Sequence, residues 1–468
     1  MYNKRFSSFT MITTYLSFLL ILSIGYIRDI IHKITFSLFI KKEIHPILTE
    51  LQSFYSRNCF KRILDCFGFP VKGNPGRIVR IYDRRYSINT GEFELTDKII
   101  PLINFGSYNY LGFGTIDKKV LNKLYRCVDK YPISLSACTR DIGLHEKVSE
   151  LERLMADFLN QKDCITFSMG YGTNTSNIPA LIDPGTLVYS DELNHASIIT
   201  GIKLSKGIVR VFRHNDMADL EKRLVYDISQ GQPITHRSWN KIIVIVEGIY
   251  SMEGTILNLK ELVRLKKKYK FYIFIDEAHS IGAIGKTGRG ICEYHDVDFN
   301  EIDILMGTFT KSFAGMGGYI AGSKKLIDYL RFYSDFSRYG EQMTPVVATQ
   351  IIESLKIIKN TKRGKQKLER LQRNVKLMRE GLSKLNLFVL GDNDSPVIPI
   401  IISNPGKLCE VSRLCREEGI GIVIVGYPAS PVLYGRIRLC MSSAHRRKDI
   451  NKTLEVLRMA SDLLGLRM

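Results

Sequence analysis

The chain has 468 residues, 45% of them hydrophobic and 24% charged, which is typical of a folded globular protein with a large domain and a smaller one. Its formal net charge is +20. Lys and Arg are nevertheless spread along the chain, without zinc-finger spacing, an RNA-binding motif or a long basic tail. We therefore expect no nucleic-acid partner, and the charge favours an anionic membrane surface or anionic substrates.

Nine cysteines are scattered through the sequence, and no two of them form a Cys-x-x-Cys pair. Their odd number and irregular spacing argue against a disulfide framework and against a zinc site. Reduced thiols are typical of a domain that faces the cytosol.

The first 27 residues contain an apolar run, residues 6–27, that carries no charge. This length predicts one transmembrane helix, with a buried core helix as the alternative. The residues after the run offer no small-x-small cleavage site, which argues against a signal peptide. Positive charges are more frequent after the run than before it, and this places the body of the protein in the cytosol. Residues 28–66 predict helices that lie on the membrane surface or, equally, on the protein's own body.

After about residue 100, short β-rich runs alternate with helix-length segments, which predicts an α/β fold with a mostly parallel sheet. Two long helices and three strands follow in a smaller α+β domain, so the predicted domains are 1–66, 67–340 and 341–468. The residues 227–240 read as a surface loop. The predicted strands are 164–167, 187–189, 209–212, 242–246, 271–275, 302–306 and 319–321, then 397–402, 420–425 and 436–440; the two long helices are 344–360 and 365–385.

Two of these predicted strands are followed directly by residues whose side chains can take part in catalysis. The run 271–275 leads to Asp276 and His279, and a buried carboxylate there requires a cationic partner such as a protonated pyridine nitrogen. A structural salt bridge or a metal ligand is the alternative role for Asp276. The run 302–306 leads to Lys311, and a lysine in a partly desolvated pocket has a lowered pKa and forms Schiff bases. Thr308 and Thr310 can donate hydrogen bonds to a phosphate.

Three motifs together resemble the α-oxoamine synthases, which are fold-type I, aspartate aminotransferase-like enzymes that use pyridoxal 5'-phosphate (PLP). These motifs span residues 247–254, 276–290 and 307–311, and the resemblance extends from about residue 100 to the C-terminus. It implies a seven-stranded sheet and a decarboxylating condensation of an amino acid with an acyl-CoA. The apolar N-terminus and the motifs 106–112, 339–345 and 426–431 resemble the membrane-anchored branch that joins L-serine to palmitoyl-CoA in sphingolipid synthesis at the endoplasmic reticulum.

The resemblance also implies roles for individual residues. Lys311 would carry the cofactor and act as general base, Asp276 would pair with the pyridine nitrogen, and His279 would bind the ring hydroxyl. His195 would stack on the ring, although a lone histidine is more often structural. Phosphate contacts would come from Thr308, Thr310, Gly170 and Tyr171. Arg438 would bind the serine carboxylate, with Arg436 as the alternative, and Asn109 would be a weaker substrate contact. No metal is expected.

The same resemblance implies a heterodimer with a homologous subunit that lacks the lysine, and contact with membrane lipid. Residues 136–152 depart from the family pattern, because Val148 stands where a histidine is expected and His145 is displaced. This departure affects the shape of the loop near the acyl-CoA entry, and with it the preference for acyl-chain length. Three related condensing enzymes remain alternatives: 2-amino-3-ketobutyrate ligase, 5-aminolevulinate synthase and 8-amino-7-oxononanoate synthase. A non-catalytic scaffold subunit is the alternative from another class, and the complete set of site residues argues against it.

Overall fold

A computed structural model describes residues 6–36, 54–55, 58–87 and 92–466 of the chain. The strands are β1 Val71–Lys72, β2 Ile78–Tyr86, β3 Phe93–Asn104, β4 Asp163–Phe167, β5 Thr186–Asp191, β6 Ile208–Phe212, β7 Lys241–Glu247, β8 Tyr272–Asp276, β9 Ile304–Thr308, β10 Gly318–Gly322, β11 Val397–Ile401, β12 Ile420–Gly421, β13 Val423–Val425 and β14 Arg436–Cys440. All seven strands predicted between residues 164 and 321 are present, each within two residues of its predicted ends.

The helices in the described ranges are α1 Ser8–Phe36, α2 Lys118–Lys130, α3 Thr139–Ile142, α4 Glu146–Phe158, α5 Gly170–Leu181, α6 Ala196–Leu204, α7 Met217–Gln230, α8 Leu259–Tyr269, α9 Ile291–His295, α10 Lys324–Tyr333, α11 Asp335–Tyr339, α12 Pro345–Asn360, α13 Lys362–Ser383, α14 Pro405–Glu417 and α15 Arg447–Leu464. Short 3-10 helices lie at Phe60–Cys66, Phe299–Glu301 and Val432–Tyr434. The two long helices predicted at 344–360 and 365–385 correspond to α12 and α13.

The central sheet has seven strands in the order β4-β10-β9-β8-β7-β5-β6. Strand β10 pairs antiparallel with both of its neighbours, whereas the other pairings are parallel. The carboxyl ends of β5, β7, β8 and β9 therefore meet at one edge of the sheet, where open α/β sheets carry their sites. This arrangement confirms the predicted seven-stranded, mostly parallel sheet.

Both faces of the sheet are buried. On β7, Val244 and Val246 pack into one hydrophobic cluster, while Ile243 and Ile245 pack into a second cluster on the opposite face. Successive side chains of a strand point to opposite faces, so an unbroken apolar run is what a doubly covered strand needs. Because the strands are buried on both faces, the polar residues at their carboxyl ends lie together at the edge of the sheet.

A three-stranded antiparallel sheet with the order β11-β14-β13 lies in the predicted C-terminal domain. The single strand predicted at 420–425 is wrong. It is two strands, because β12 pairs in parallel with β3 at Ile103 and Asn104, whereas β13 pairs with β14. The sheet of β1, β2, β3 and β12 was not predicted from the sequence. The boundary at residue 340 stays a prediction.

The predicted loop 227–240 begins too early, because α7 continues to Gln230. Asp227 is buried on this helix and accepts hydrogen bonds from Tyr189 Oη at 2.7 Å and from Arg210 Nε at 3.3 Å. Those two partners hold the last turn against β5 and β6, which the polar sequence alone does not show.

Helix α1 contains the one segment, Ser8–Ile31, that is long and apolar enough to cross a membrane within the ranges the structure describes. Most of its apolar side chains are exposed. Its N-terminal half contacts the predicted C-terminal domain, since Ser17 Oγ accepts a hydrogen bond from Asn404 at 3.0 Å and the Phe18 ring lies 5.6 Å from that of Tyr427. Part of the predicted juxtamembrane helices, residues 37–53, lies outside the described residues.

Candidate active site

A cavity of about 310 Å³ opens at the carboxyl ends of β7, β8 and β9. Except for Asn109, the structure brings the predicted catalytic, cofactor and substrate residues to this cavity. They are Lys311, Asp276, His195, His279, Thr308, Thr310, Gly170, Tyr171 and Arg438. These residues come from separate strands, helices and loops, so the fold is what assembles them.

Asp276 is the last residue of β8 and is 4% exposed. Its Oδ1 accepts the backbone N–H of Ala278 at 2.9 Å, and its Oδ2 accepts the side-chain N–H of Asn174 at 2.8 Å. A buried carboxylate is stable only with such donors or with a cation. The carboxylate is thus held in place at the cavity wall, where it can meet a cationic ring nitrogen.

Lys311 follows β9 in the next turn of the chain, and its Nζ lies 5.7 Å from the centroid of the Tyr108 ring. Burial lowers the pKa of Lys311 from its ordinary 10.5 to about 8, although the carboxylates of Asp276 and Glu247 oppose this shift. Desolvation disfavours the charged ammonium form. The amine is therefore neutral in a substantial fraction of molecules near physiological pH, which a nucleophilic lysine requires.

His195 caps the N-terminus of α6, since its Nδ1 accepts the backbone N–H of Ser197 at 3.2 Å and lies 2.8 Å from Ser197 Oγ. Its own backbone N–H donates to Glu247 Oε1 at 2.5 Å. Burial lowers the pKa of His195. The ring is therefore neutral at physiological pH and is oriented from two sides.

Asn174 joins this histidine to Asp276. Its Nδ2 donates to Asp276 Oδ2 at 2.8 Å and to Ser197 Oγ at 2.9 Å, and Ser197 Oγ in turn contacts the His195 ring. All four side chains line the cavity. Asn174 was not predicted from the sequence. The feature that could have indicated it is an amide side chain one turn after Gly170, in a helix that begins at the edge of the sheet.

His279 lies deeper, where its Nδ1 is 2.6 Å from Tyr110 Oη and its ring meets the ring of Tyr108 edge-on at 5.3 Å. Burial, with a further contribution from the Lys311 charge, lowers the pKa of His279 well below its ordinary value. With Nδ1 held by the tyrosine, Nε2 is the ring nitrogen left for a ligand.

Two hydroxyl groups and a helix N-terminus close the other end of the cavity. Thr308 Oγ1 lies 2.9 Å from Thr310 Oγ1 and donates to the Gly317 carbonyl at 2.8 Å. Helix α5 begins at Gly170, and a Cβ added there would lie 2.8 Å from Thr308 Oγ1. Helix N-termini attract anions through their free N–H groups and dipole, so this end suits a phosphate.

The two candidate arginines occupy different places. Arg438 lines the cavity, donates to Tyr108 Oη and to the Ser251 carbonyl at 3.3 Å, and its buried Nε has no hydrogen-bond partner within the described part of the chain. Arg436 is 1% exposed and pairs with Glu253 at 3.1 Å, away from the cavity. The geometry therefore favours Arg438 over Arg436 as a ligand-binding residue.

Asn109 lies outside this cavity. Its Nδ2 donates to the Pro75 carbonyl at 3.2 Å and its Oδ1 accepts the Gly114 N–H at 3.1 Å, so the side chain braces its own loop. It lines a second cavity of about 720 Å³, which reaches Lys311 and Thr310. That Asn109 contacts substrate stays a prediction, and the space that it lines is this second cavity.

The divergent segment 136–152 has a defined structure. His145 caps α4 by accepting the Lys147 N–H at Nδ1, and its own N–H donates to Gln342 Oε1 at 2.8 Å. Val148 is 1% exposed and packs in the main core. Neither His145 nor Val148 lines either cavity.

These residues fit PLP. The cofactor has a pyridine nitrogen for Asp276, an aldehyde for an amine such as Lys311, and a phosphate for the hydroxyl and helix end near Gly170. The buried Asn174 Oδ1 has no hydrogen-bond partner among the residues described, as expected at a wall completed by a ligand.

Comparison with known proteins agrees with this geometry. Residues 100–457 match the family model for aminotransferase class I and II. The chain is 44% identical over 464 residues to long chain base biosynthesis protein 2b of Arabidopsis thaliana, covering 98% of this chain and 95% of the relative. It is 45% identical over 426 residues to serine palmitoyltransferase 2 of Dictyostelium discoideum, covering 90% and 87%. The chain belongs to the serine palmitoyltransferase family.

A solved structure described as SPT with PLP internal aldimine is also similar. It superimposes with a TM-score of 0.77 at 25% identity, over 90% of this chain and all of that one. Family and fold together make the chain a PLP-dependent transferase with the fold-type I architecture, as the sequence motifs predicted.

Proposed function

We propose that this chain is the catalytic, lysine-bearing subunit of a serine palmitoyltransferase. It condenses L-serine with palmitoyl-CoA to 3-oxosphinganine, CoA and CO2, the first step of sphingolipid synthesis. The observation that carries the proposal is that Lys311 and Asp276 line one cavity at adjacent strand ends, in a chain 44% identical to a long chain base biosynthesis protein.

The bound PLP ring supplies an electron sink for the charge that develops on Cα of serine. Lys311 Nζ removes the Cα proton, and its pKa of about 8 leaves the amine neutral often enough to act as a base. Asp276 holds a compensating negative charge at the ring nitrogen. Its fixed hydrogen bonds keep that charge in place without rearrangement during the reaction.

His195 would cover the ring face, His279 would bind the ring hydroxyl, and Thr308, Thr310, Gly170 and Tyr171 would hold the phosphate, since all of these residues line the cavity. Each of these side chains is oriented by a hydrogen bond to a neighbouring protein group or by a helix end. Such support from behind is what keeps a ligand within catalytic distance.

Arg438 binds the serine carboxylate. Its guanidinium is anchored by Tyr108 and by the Ser251 carbonyl, and the side chain lines the cavity. A planar guanidinium binds a carboxylate in a bidentate manner, which orients the Cα–H bond toward the base.

The acyl thioester approaches through the larger cavity beside Lys311. This space is lined by apolar side chains such as Phe113, Val120 and Leu124, and it shares Tyr108 and Thr310 with the cofactor cavity. A new C–C bond forms between serine Cα and the thioester carbonyl, the C–S bond breaks to release CoA, and loss of CO2 makes the condensation effectively irreversible.

Helix α1 anchors the enzyme in the endoplasmic reticulum membrane as a single-pass segment, with the catalytic domain in the cytosol. Lipid contact places the site near its substrate and product, which partition into bilayers at about 0.8 kcal/mol per methylene. A homologous subunit that lacks the lysine completes a heterodimer.

The test is product analysis of the complex purified in detergent from cells expressing the tagged chain. With labelled serine and palmitoyl-CoA we expect labelled 3-oxosphinganine, and mass spectrometry of the complex should show the lysine-lacking partner. Product formed only from glycine or alanine would instead assign one of the related condensing activities.

A further inference from the structure

Strand β14 carries two arginines, Arg436 and Arg438, whose side chains share one face because they are two residues apart. Both point at the same segment of the large domain, residues 248–256, which we call the Ser251 loop. Arg438 contacts the Ser251 carbonyl and the sulfur of Met252, at 3.3 and 3.7 Å. Arg436 contacts the Met252 carbonyl and Glu253.

Arg436 makes three hydrogen bonds, two of which reach the Ser251 loop. It donates to the Met252 carbonyl at 2.8 Å, to Glu253 Oε1 at 3.1 Å and to the Tyr434 carbonyl at 2.9 Å. Its side chain is 1% exposed and that of Glu253 is 6% exposed. Neither residue lines the cofactor cavity, whereas Ser251, Met252 and Arg438 do.

The Ser251 loop is itself fixed to the large domain. The Gly248 N–H donates to the Asp276 carbonyl at 2.9 Å, and Thr255 Oγ1 lies 2.8 Å from His214 Nε2. Within the loop, the Gly254 N–H donates to the Tyr250 carbonyl at 2.8 Å. The loop therefore shares the frame of Asp276, and whatever docks on it is placed relative to the cofactor site.

We propose that the buried pair Glu253–Arg436 is a positioning device that holds β14 against the Ser251 loop, so that Arg438 meets the amino-acid carboxylate at the correct distance. The proposal rests on the carboxylate-binding role of Arg438 given above. Arg436 is two residues before Arg438 on one strand, so a shift of Arg436 moves Arg438 with it.

The chemistry of the pair supports a geometric role. Two well-packed apolar side chains would hold a domain contact at no cost in desolvation, so a buried ion pair is weak evidence for added stability. It does fix one register, because Glu253 and the Met252 carbonyl accept from the same nitrogen, Arg436 Nη1. That registry suits a strand whose next inward side chain must reach a ligand.

The experiment measures serine affinity directly, by the absorbance change of bound PLP when serine is titrated into the purified holoenzyme complex. Glu253→Gln keeps the shape of the side chain and removes its charge. We expect the serine Kd and KM to rise about ten-fold or more, because the charge-assisted hydrogen bonds from Arg438 to the carboxylate weaken when their geometry is lost. The kcat at saturating serine should fall as well, because Arg438 also orients the Cα–H bond toward the base, whereas the retention of PLP should stay near that of the wild type.

A matched control separates positioning from stability. Glu152 is also buried and pairs with Arg331 at 3.0 Å, and neither residue lines the cofactor cavity. Glu152→Gln should lower the thermal midpoint to a similar degree and leave the serine Kd unchanged. If Glu253→Gln behaves in the same way, with lower stability and an unchanged serine Kd, the pair is only structural and the proposal is overturned.

Two further variants keep the test decisive. Arg436→Lys retains the positive charge but cannot make all three hydrogen bonds of the guanidinium. Its serine Kd should lie between those of the wild type and Glu253→Gln, and it replaces Glu253→Gln as the test when that variant is too unstable to purify. An unchanged serine Kd in Arg436→Lys would also overturn the proposal. Arg438→Lys tests the role on which the inference rests. If Arg438→Lys leaves the serine Kd unchanged, the assignment of Arg438 to the carboxylate fails. If Arg438→Lys raises the serine Kd but Glu253→Gln and Arg436→Lys leave it unchanged, only the positioning role fails.

Discussion

Asn174 donates a hydrogen bond of 2.8 Å to Asp276, and the same amide nitrogen donates to Ser197 at 2.9 Å. Ser197 contacts the ring of His195, so one buried amide connects the carboxylate expected at the cofactor nitrogen with the imidazole expected on the cofactor face. The members of a buried polar network polarise and hold one another, so breaking one member affects the others. The site is therefore one coupled unit.

Replacement of Asn174 tests this coupling. Asn174→Ala removes a hydrogen bond to a buried charge, worth about 1.5–3 kcal/mol, so we expect PLP to bind roughly 10- to 150-fold more weakly. The measurement is PLP dissociation, followed by absorbance during dialysis. Asn177→Ala is the control, since Asn177 is buried on the same helix and its side chain, within the described part of the chain, donates only to the Thr173 carbonyl. Equal PLP loss in both variants would show that the effect is general to the helix.

The lowered pKa of Lys311 makes a prediction about cofactor uptake. Only the neutral amine attacks an aldehyde, and the neutral form dominates above the pKa. Since burial lowers that pKa to about 8, the rate of PLP capture by the apoenzyme should rise between roughly pH 7 and pH 9 and then level off. Stopped-flow absorbance measures this rate. A rate that keeps rising toward the ordinary lysine value of 10.5 would contradict the burial of this amine.

The close approach at Gly170 predicts a phosphate defect. Gly170→Ala places a Cβ 2.8 Å from Thr308 Oγ1, so the hydroxyl must move. Such overpacking costs about 1–3 kcal/mol. The displaced hydroxyl has to return to its place for the phosphate to bind, so we expect the same free energy to appear as a rise of roughly 5- to 150-fold in the Kd for PLP. Equilibrium fluorescence titration with PLP gives this value. Gly421→Ala is the control, since its Cβ would meet neighbours at an ordinary 3.4 Å.

Helix α1 predicts stable membrane attachment. Its exposed apolar side chains include Phe9, Leu16, Leu19 and Leu20, each more than half exposed among the residues that the structure describes. The full chain expressed alone should therefore stay in the membrane pellet after alkaline carbonate washing, and a chain lacking residues 1–36 should shift to the supernatant. Release of the full chain by carbonate would show that α1 is not inserted in lipid.

The sequence predicted the parts of the fold that follow from local pattern. Unbroken apolar runs such as that of β7 are buried on both sheet faces, and the polar residues that end them reach the site. The pairing of β12 with β3 was not predictable, because a two-residue strand leaves no pattern and its partner is more than 300 residues away.

The same distinction applies to the site. Lys311 and Asp276 belong to local motifs and were predicted, whereas Asn174 and Glu247 act through partners that are distant in sequence. The choice between Arg436 and Arg438 required the structure, since both share a strand face and only burial and contacts separate them.

The most direct test is to reduce the purified holoenzyme with borohydride and to identify the modified peptide by mass spectrometry. We predict a phosphopyridoxyl group on the peptide that contains Lys311. In the Lys311→Ala variant, both this group and the synthesis of 3-oxosphinganine should be absent. An adduct on another lysine, or full activity without the amine at position 311, would contradict the account.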